Sequence, residues 1–133
     1  MKEKPFSLKK KERIHSREEI QGLFSQADSF VLFPFKVLHL EQREQDDEAL
    51  KFAVSVPKRA FKKAVDRNLL KRRIKEAYRL NKNELKTSLS EQGKSLNFMV
   101  IYLAKEALDF HLIEKKIILT LQRLQSLYAK DSK

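Results

Sequence analysis

Residues 57–79 read P-K-R-A-F-K-K-A-V-D-R-N-L-L-K-R-R-I-K-E-A-Y-R, and the rest of the chain is arranged around them. They hold ten cations, Lys58, Arg59, Lys62, Lys63, Arg67, Lys71, Arg72, Arg73, Lys75 and Arg79, against two acids, Asp66 and Glu76. That balance of +8 is most of the chain's net +11. Leu70, Ile74, Ala77 and Tyr78 are spaced as one apolar stripe of a helix that begins near Asp66. At 100° per residue, Asn68, Lys71, Arg72, Lys75 and Arg79 fall opposite the stripe. The helix is expected to bury one side and turn a basic ridge outward, with Asp66 as its N-cap. A solvated helix face ordinarily mixes its signs. A face almost wholly positive calls for an anionic partner, and a phosphate backbone is the first candidate.

Outward from this helix the chain reads as one domain of 133 residues, with 41% hydrophobic and 35% charged residues. It has no cysteine, which excludes disulfides and thiolate metal sites and fits a reducing compartment. No apolar run has transmembrane length and the start lacks a secretion signal, so a cytoplasmic location without membrane contact is expected. Two glycines cannot build a glycine-rich phosphate loop.

Residues 1–13 read as a basic irregular segment with Phe6 and Leu8 as anchors, and 129–133 as a disordered tail. Ser16 and Glu19 form a capping box for a helix over about 16–27, striped by Ile20, Leu23, Phe24 and Ala27. A strand is expected at 35–41, with 30–33 extended before it and Pro34 arguing against a central position. The polar stretch 42–48 reads as a loop. Leu50, Phe52, Val54 and Val56 alternate with Lys51, Ala53 and Ser55 as a half-buried strand that ends at Pro57. Residues 81–95 read as a frayed end of the basic helix and then a loop around Gly93. The apolar run F-M-V-I-Y-L at 98–103 is a strand buried on both faces. A last helix starts near Asp109, with Ile113, Ile117, Leu121 and Leu124 as its core stripe. The two strands that flank the basic helix are expected to be parallel, as in a βαβ unit. The class is α+β, a small mixed sheet carrying helices.

Catalytic chemistry finds little support in these residues. His15, His39 and His111 lack ligand spacing. Asp46, Asp47 and Glu48 are consecutive in a loop, whereas two-metal nucleases hold their carboxylates on rigid elements. No serine sits in a nucleophile setting. Binding finds more. Phe24, Phe33 and Phe35 are aromatics near expected surface or cleft positions, and a stacked base contributes roughly 1–3 kcal/mol. For each of them core packing is the commoner role.

The basic stretch resembles the signature of the bacterial ribonuclease P protein family, a strand ending in V-x-K-K followed by A-x-x-R-N-R-x-K-R-x-x-R-E-x-[FY]-R. Lys58 and Arg59 match the lysine pair; Arg67, Asn68, Lys71, Arg72, Lys75, Glu76, Tyr78 and Arg79 match the helix. The opening F-S-L-K-K-K-E-R-I and the order and spacing of the remaining elements extend the resemblance over nearly the whole chain. There are departures. Leu69 replaces the second arginine of R-N-R, with Arg73 four residues on. Ala53 replaces a common glycine, Ile20 and Leu38 replace cleft aromatics, and 86–95 is an insertion.

The resemblance implies a fold like the second domain of a small-subunit ribosomal protein, with a left-handed βαβ crossover against the usual right-handed rule. It implies a non-catalytic protein subunit of an endoribonuclease, one protein per catalytic RNA, in which the RNA removes the 5′ leader of precursor tRNA. Magnesium would be held chiefly by the RNA and no cofactor by the protein. Contact with the catalytic RNA is expected from Arg67, Asn68, Lys71, Arg72, Lys75 and Arg79, with Lys58, Lys62 and Lys63. Leader contact is expected from Phe24, Phe35, Lys51 and Arg59. A structural RNA-binding protein, ribosomal or an assembly factor, and an autonomous nuclease using the acidic loop remain as alternatives.

Overall fold

The computed structural model describes residues 10–14, 16–42 and 48–129. The expectations for Phe6, Leu8, His15, Asp46, Asp47 and the tail from Lys130 onward lie outside those residues. After a 3₁₀ turn at Lys10–Glu12 come α1 (Arg17–Gln26), β1 (Asp28–Leu32), β2 (Phe35–Gln42), β3 (Leu50–Ser55), α2 (Ala64–Asn81), α3 (Asn83–Glu91), β4 (Ser95–Tyr102) and α4 (Phe110–Leu127).

The strands form one mixed sheet in the order β1-β2-β4-β3. The β1/β2 and β2/β4 pairs are antiparallel, and β3 runs parallel to β4 as the βαβ reading requires. Alternation along the strands gives the sheet two faces. Phe35, Val37, Leu50, Phe52, Leu96, Phe98, Val100 and Tyr102 point into the main core. They meet Leu70, Ile74, Ala77 and Tyr78 of α2 and Ile113, Ile117, Leu121 and Leu124 of α4. The Tyr78 ring lies 4.1 Å from that of Phe52, nearly parallel at 18°. Full burial of Leu70 and Ile74 stabilises the docked helix by roughly 1.5–3 kcal/mol each. The opposite face is only partly covered, by a small core of Ile14, Leu23, Leu38 and Met99 beneath α1.

Several expectations change. Asp66 is not the N-cap: α2 starts at Ala64 after Lys63, and Asp66 lies in its first turn, where a carboxylate still complements the positive helix end. Ser16 caps α1 by accepting from Glu19 N–H at 3.4 Å, but the Glu19 carboxylate is drawn away to Lys51. The 83–91 stretch is a helix, not a loop, because Leu85 and Leu89, one turn apart, both reach the core. It ends where Gly93 turns the chain at φ 67, with Lys94 N–H donating to Leu89 O. β4 begins three residues earlier than expected, at Ser95. The 30–33 segment pairs as β1, and Pro34 sits in the turn ahead of an inner strand. Residues 10–14 are ordered into the 3₁₀ turn and a bridge from Arg13 to Phe52. Glu48, expected to be solvated, is buried beside Lys11 and Lys86.

Candidate nucleic-acid interface

α2 is held at both ends by its neighbours, and this sets which cations remain outward. Arg67 Nη1 donates to Phe61 O at 2.7 Å and to Lys62 O at 2.9 Å. The guanidinium thus clamps the connector that carries the exposed Lys58, Arg59, Lys62 and Lys63. Arg73 Nη1 donates to Leu108 O at 2.6 Å, tying α2 to the loop before α4. Arg73 is therefore turned to the opposite flank and does not stand in for the arginine missing at Leu69. Arg79 pairs with Glu76 at 2.7 Å, which lowers the Glu76 carboxyl below its usual range through the hydrogen bond from Arg79.

Between these anchors Asn68, Lys71, Arg72, Lys75, Glu76 and Arg79 line a shallow concavity of about 380 Å³ along the exposed side of α2. Lys71 and Lys75, one turn apart, also line a second concavity of about 480 Å³ on the other side of the ridge. The floor of this groove is apolar: Ile14, Ile20, Phe52, Ala53, Val54 and Met99. Its remaining cations are Lys10 and Arg13. Burial, then the charges of Arg13 and Lys71, hold the Lys75 ammonium below its ordinary pKa. Cations crowd there without a compensating acid. Among the described residues no carboxylate pairs with Lys58, Arg59, Lys62, Lys63, Arg67, Lys71, Arg72 or Lys75.

The aromatic candidates fare differently. Phe35 is wholly buried, packed against Tyr102 at 6.2 Å, so no base can stack on it. Its strand begins inside the sheet and points it into the main core. Phe24 is 62% exposed, one turn beyond Ile20, and does not line the groove. Lys51 lies outside the groove lining as well; its ammonium donates to Glu19 at 3.1 Å and ties β3 to α1. Phe24 and Lys51 therefore do not meet in this groove. Lys10 and Arg13 are not among the residues expected to make contact, although K-K-E-R-I puts them three apart, on one side of a tight turn, with Glu12 and Ile14 turned inward.

His39 donates to or accepts from Tyr128 Oη at 2.7 Å through Nδ1, and burial lowers its pKa despite the nearby Asp28. Burial, with Asp28 and Glu41, pushes the Tyr128 hydroxyl up to about 12. These two groups join the end of α4 to β2, away from the cationic ridge. Among the described residues no three His, Asp or Glu side chains gather as a metal site, and no helix is long and apolar enough to cross a membrane.

A half-covered sheet stands beside a helix whose outward Lys71, Arg72 and Lys75 pair with no carboxylate among the described residues, an α+β domain with the surface chemistry that suits a polyanion. Comparison with known proteins gives the family. The chain matches the ribonuclease P sequence model over residues 8–125. It is 36% identical over 121 residues to a ribonuclease P protein component of Porphyromonas gingivalis, covering 90% of this chain and 87% of that one. Identity to the Listeria innocua component is 31% over 113 residues, 84% of this chain and 86% of that one. Among solved structures, the ribonuclease P protein of Thermotoga maritima superposes with TM-score 0.67 at 26% identity, over 84% of this chain and 96% of that one. The Staphylococcus aureus protein has the same fold, with TM-score 0.68 at 21% identity over 86% and 95%. This chain belongs to the ribonuclease P protein family.

Proposed function

We propose that this chain is the protein subunit of a ribonuclease P whose chemistry is performed by RNA, and that it binds both that RNA and the single-stranded 5′ leader of precursor tRNA. One observation carries the reading: Lys71 and Lys75 form a wall common to an outward basic face and to an apolar-floored groove. A single helix can then engage a folded RNA on one side and a strand on the other. Asn68, Lys71, Arg72, Lys75 and Arg79 contact the catalytic RNA. The exposed Lys58, Arg59, Lys62 and Lys63 extend this surface along the connector. Arg67 acts through the connector that it clamps, with its other guanidinium nitrogens turned to phosphate. The leader lies in the groove, and Phe24, exposed on α1 outside the groove lining, is a stacking surface for a base that leaves it. Magnesium is assigned to the RNA. One protein serves one RNA, in the cytoplasm.

The protein contributes charge and position. It removes phosphate repulsion between leader and catalytic RNA, so the RNA should reach its active form with less magnesium. The test is reconstitution. Added protein should stimulate cleavage of precursor tRNA by a bacterial ribonuclease P RNA at low magnesium. Absence of stimulation, with RNA binding retained, would assign the chain to structural RNA binding. Cleavage by the protein alone would revive the nuclease alternative.

A further inference from the structure

Glu12 is wholly buried, an unusual place for a carboxylate. It accepts from Lys82 Nζ at 2.9 and 2.8 Å and from Lys86 Nζ at 3.0 Å. Lys82 joins α2 to α3 and is itself buried; Lys86 belongs to α3. The next residues are fastened to the sheet edge. Ile14 N–H donates to Phe52 O at 2.9 Å, and Ile14 packs into the small core under α1. Lys11 reaches Glu48 at 3.2 Å. A turn of the chain is therefore pinned through Lys11, Glu12 and Ile14. Pinning Glu12 and Ile14 inward leaves Lys10 and Arg13, three residues apart, on the groove side.

We infer that the turn Lys10–Ile14 is the wall of the groove that faces Lys71 and Lys75, that Lys10 and Arg13 each neutralise a phosphate of the strand bound there, and that Glu12 is the positioning residue that holds them. The inference rests on the groove being the single-strand site proposed above. The chemistry selects this ligand. Four ammonium or guanidinium groups stand around an apolar floor, and the one aromatic residue that lines it, Phe52, turns its ring away into the main core against Tyr78. A backbone of repeated negative charges satisfies the rim, while the floor offers no open aromatic face to a base. α3 then has a task of its own: its Lys86 completes the grip on Glu12.

The experiment measures binding of the reconstituted holoenzyme to precursor tRNA and to leaderless mature tRNA across a salt series. For the wild type, the leader should steepen the fall of log K with log salt. If both substrates behave alike, the leader is not bound by the protein and the leader contact proposed above falls, while the subunit role stands on the reconstitution test. If the leader matters, Lys10→Ala with Arg13→Ala should reduce the slope by about 1.4 for precursor tRNA alone, at about 0.7 per phosphate contact on a single strand. An unchanged slope overturns the wall while leaving the groove's function intact. Glu12→Gln should produce the same loss, and adding it to the double variant should produce no more. A further loss in the triple variant would show that Glu12 acts by another route. If circular dichroism shows Glu12→Gln unfolded, Lys86→Met replaces it, with a partial slope loss expected and no loss counting against the positioning role.

Discussion

Lys75 and Lys82 are seven residues apart, two helical turns, on nearly the same side of one rod, yet they have opposite fates. Lys75 stands at an open groove among Arg13 and Lys71, with no carboxylate beside it. Lys82 is buried on the carboxylate of Glu12. A lysine that meets a buried acid becomes part of the framework, and one that meets only other cations is left to bind an anion. Charge alone does not separate the two; the company that each side chain keeps does.

The comparison breaks most violently at the buried end. Lys82→Met should destabilise the fold by about 3–5 kcal/mol, because it takes from a buried carboxylate the ammonium that meets both of its oxygens. Urea unfolding measures this, and a change under about 1 kcal/mol would show that the hub is better solvated than its burial implies. At the open end the loss should be one of binding. Lys71→Ala with Lys75→Ala should lower the salt slope for RNA by about 1.4, from single-strand contacts, and leave stability within roughly 0.5 kcal/mol. An equal loss of stability would place these lysines with Lys82. Arg67 lies between the two extremes. Arg67→Met removes the one nitrogen, Nη1, that donates to both carbonyls and should reduce stability by about 1–2 kcal/mol. Part of the RNA affinity should go with it through the loosened connector.

The smallest effect is expected at His39. Its folded-state pKa lies below the unfolded value because burial disfavours the charged ring. That stabilisation is complete above the unfolded pKa near 6.5 and is lost as pH falls through the folded value. Thermal melts between pH 7.5 and 5 should show a decline that His39→Gln lessens. The same decline in the variant would point to other groups.

Much of the fold was legible because its signals are local. The stripe Leu70, Ile74, Ala77, Tyr78 and the alternation from Leu50 to Val56 each report a buried face through their own spacing. α3 was not legible, since only Leu85 and Leu89 mark it within a polar run. The ridge could be read from one helix. The groove could not, because its cations come from residues 10, 13, 71 and 75, and only folding brings them together. Phe35 shows the converse: an aromatic beside a proline suggests a surface, but the inner position of its strand sends it into the core.

By itself, the order of residues determined the elements other than α3, the basic helix and the family signature, since each depends on periodicity or adjacency along the chain. Only the tertiary structure decided which lysines face a carboxylate and which face a groove. That choice rests on distances of a few ångströms between residues some sixty to seventy positions apart, where desolvation and pairing, not charge count, set the outcome.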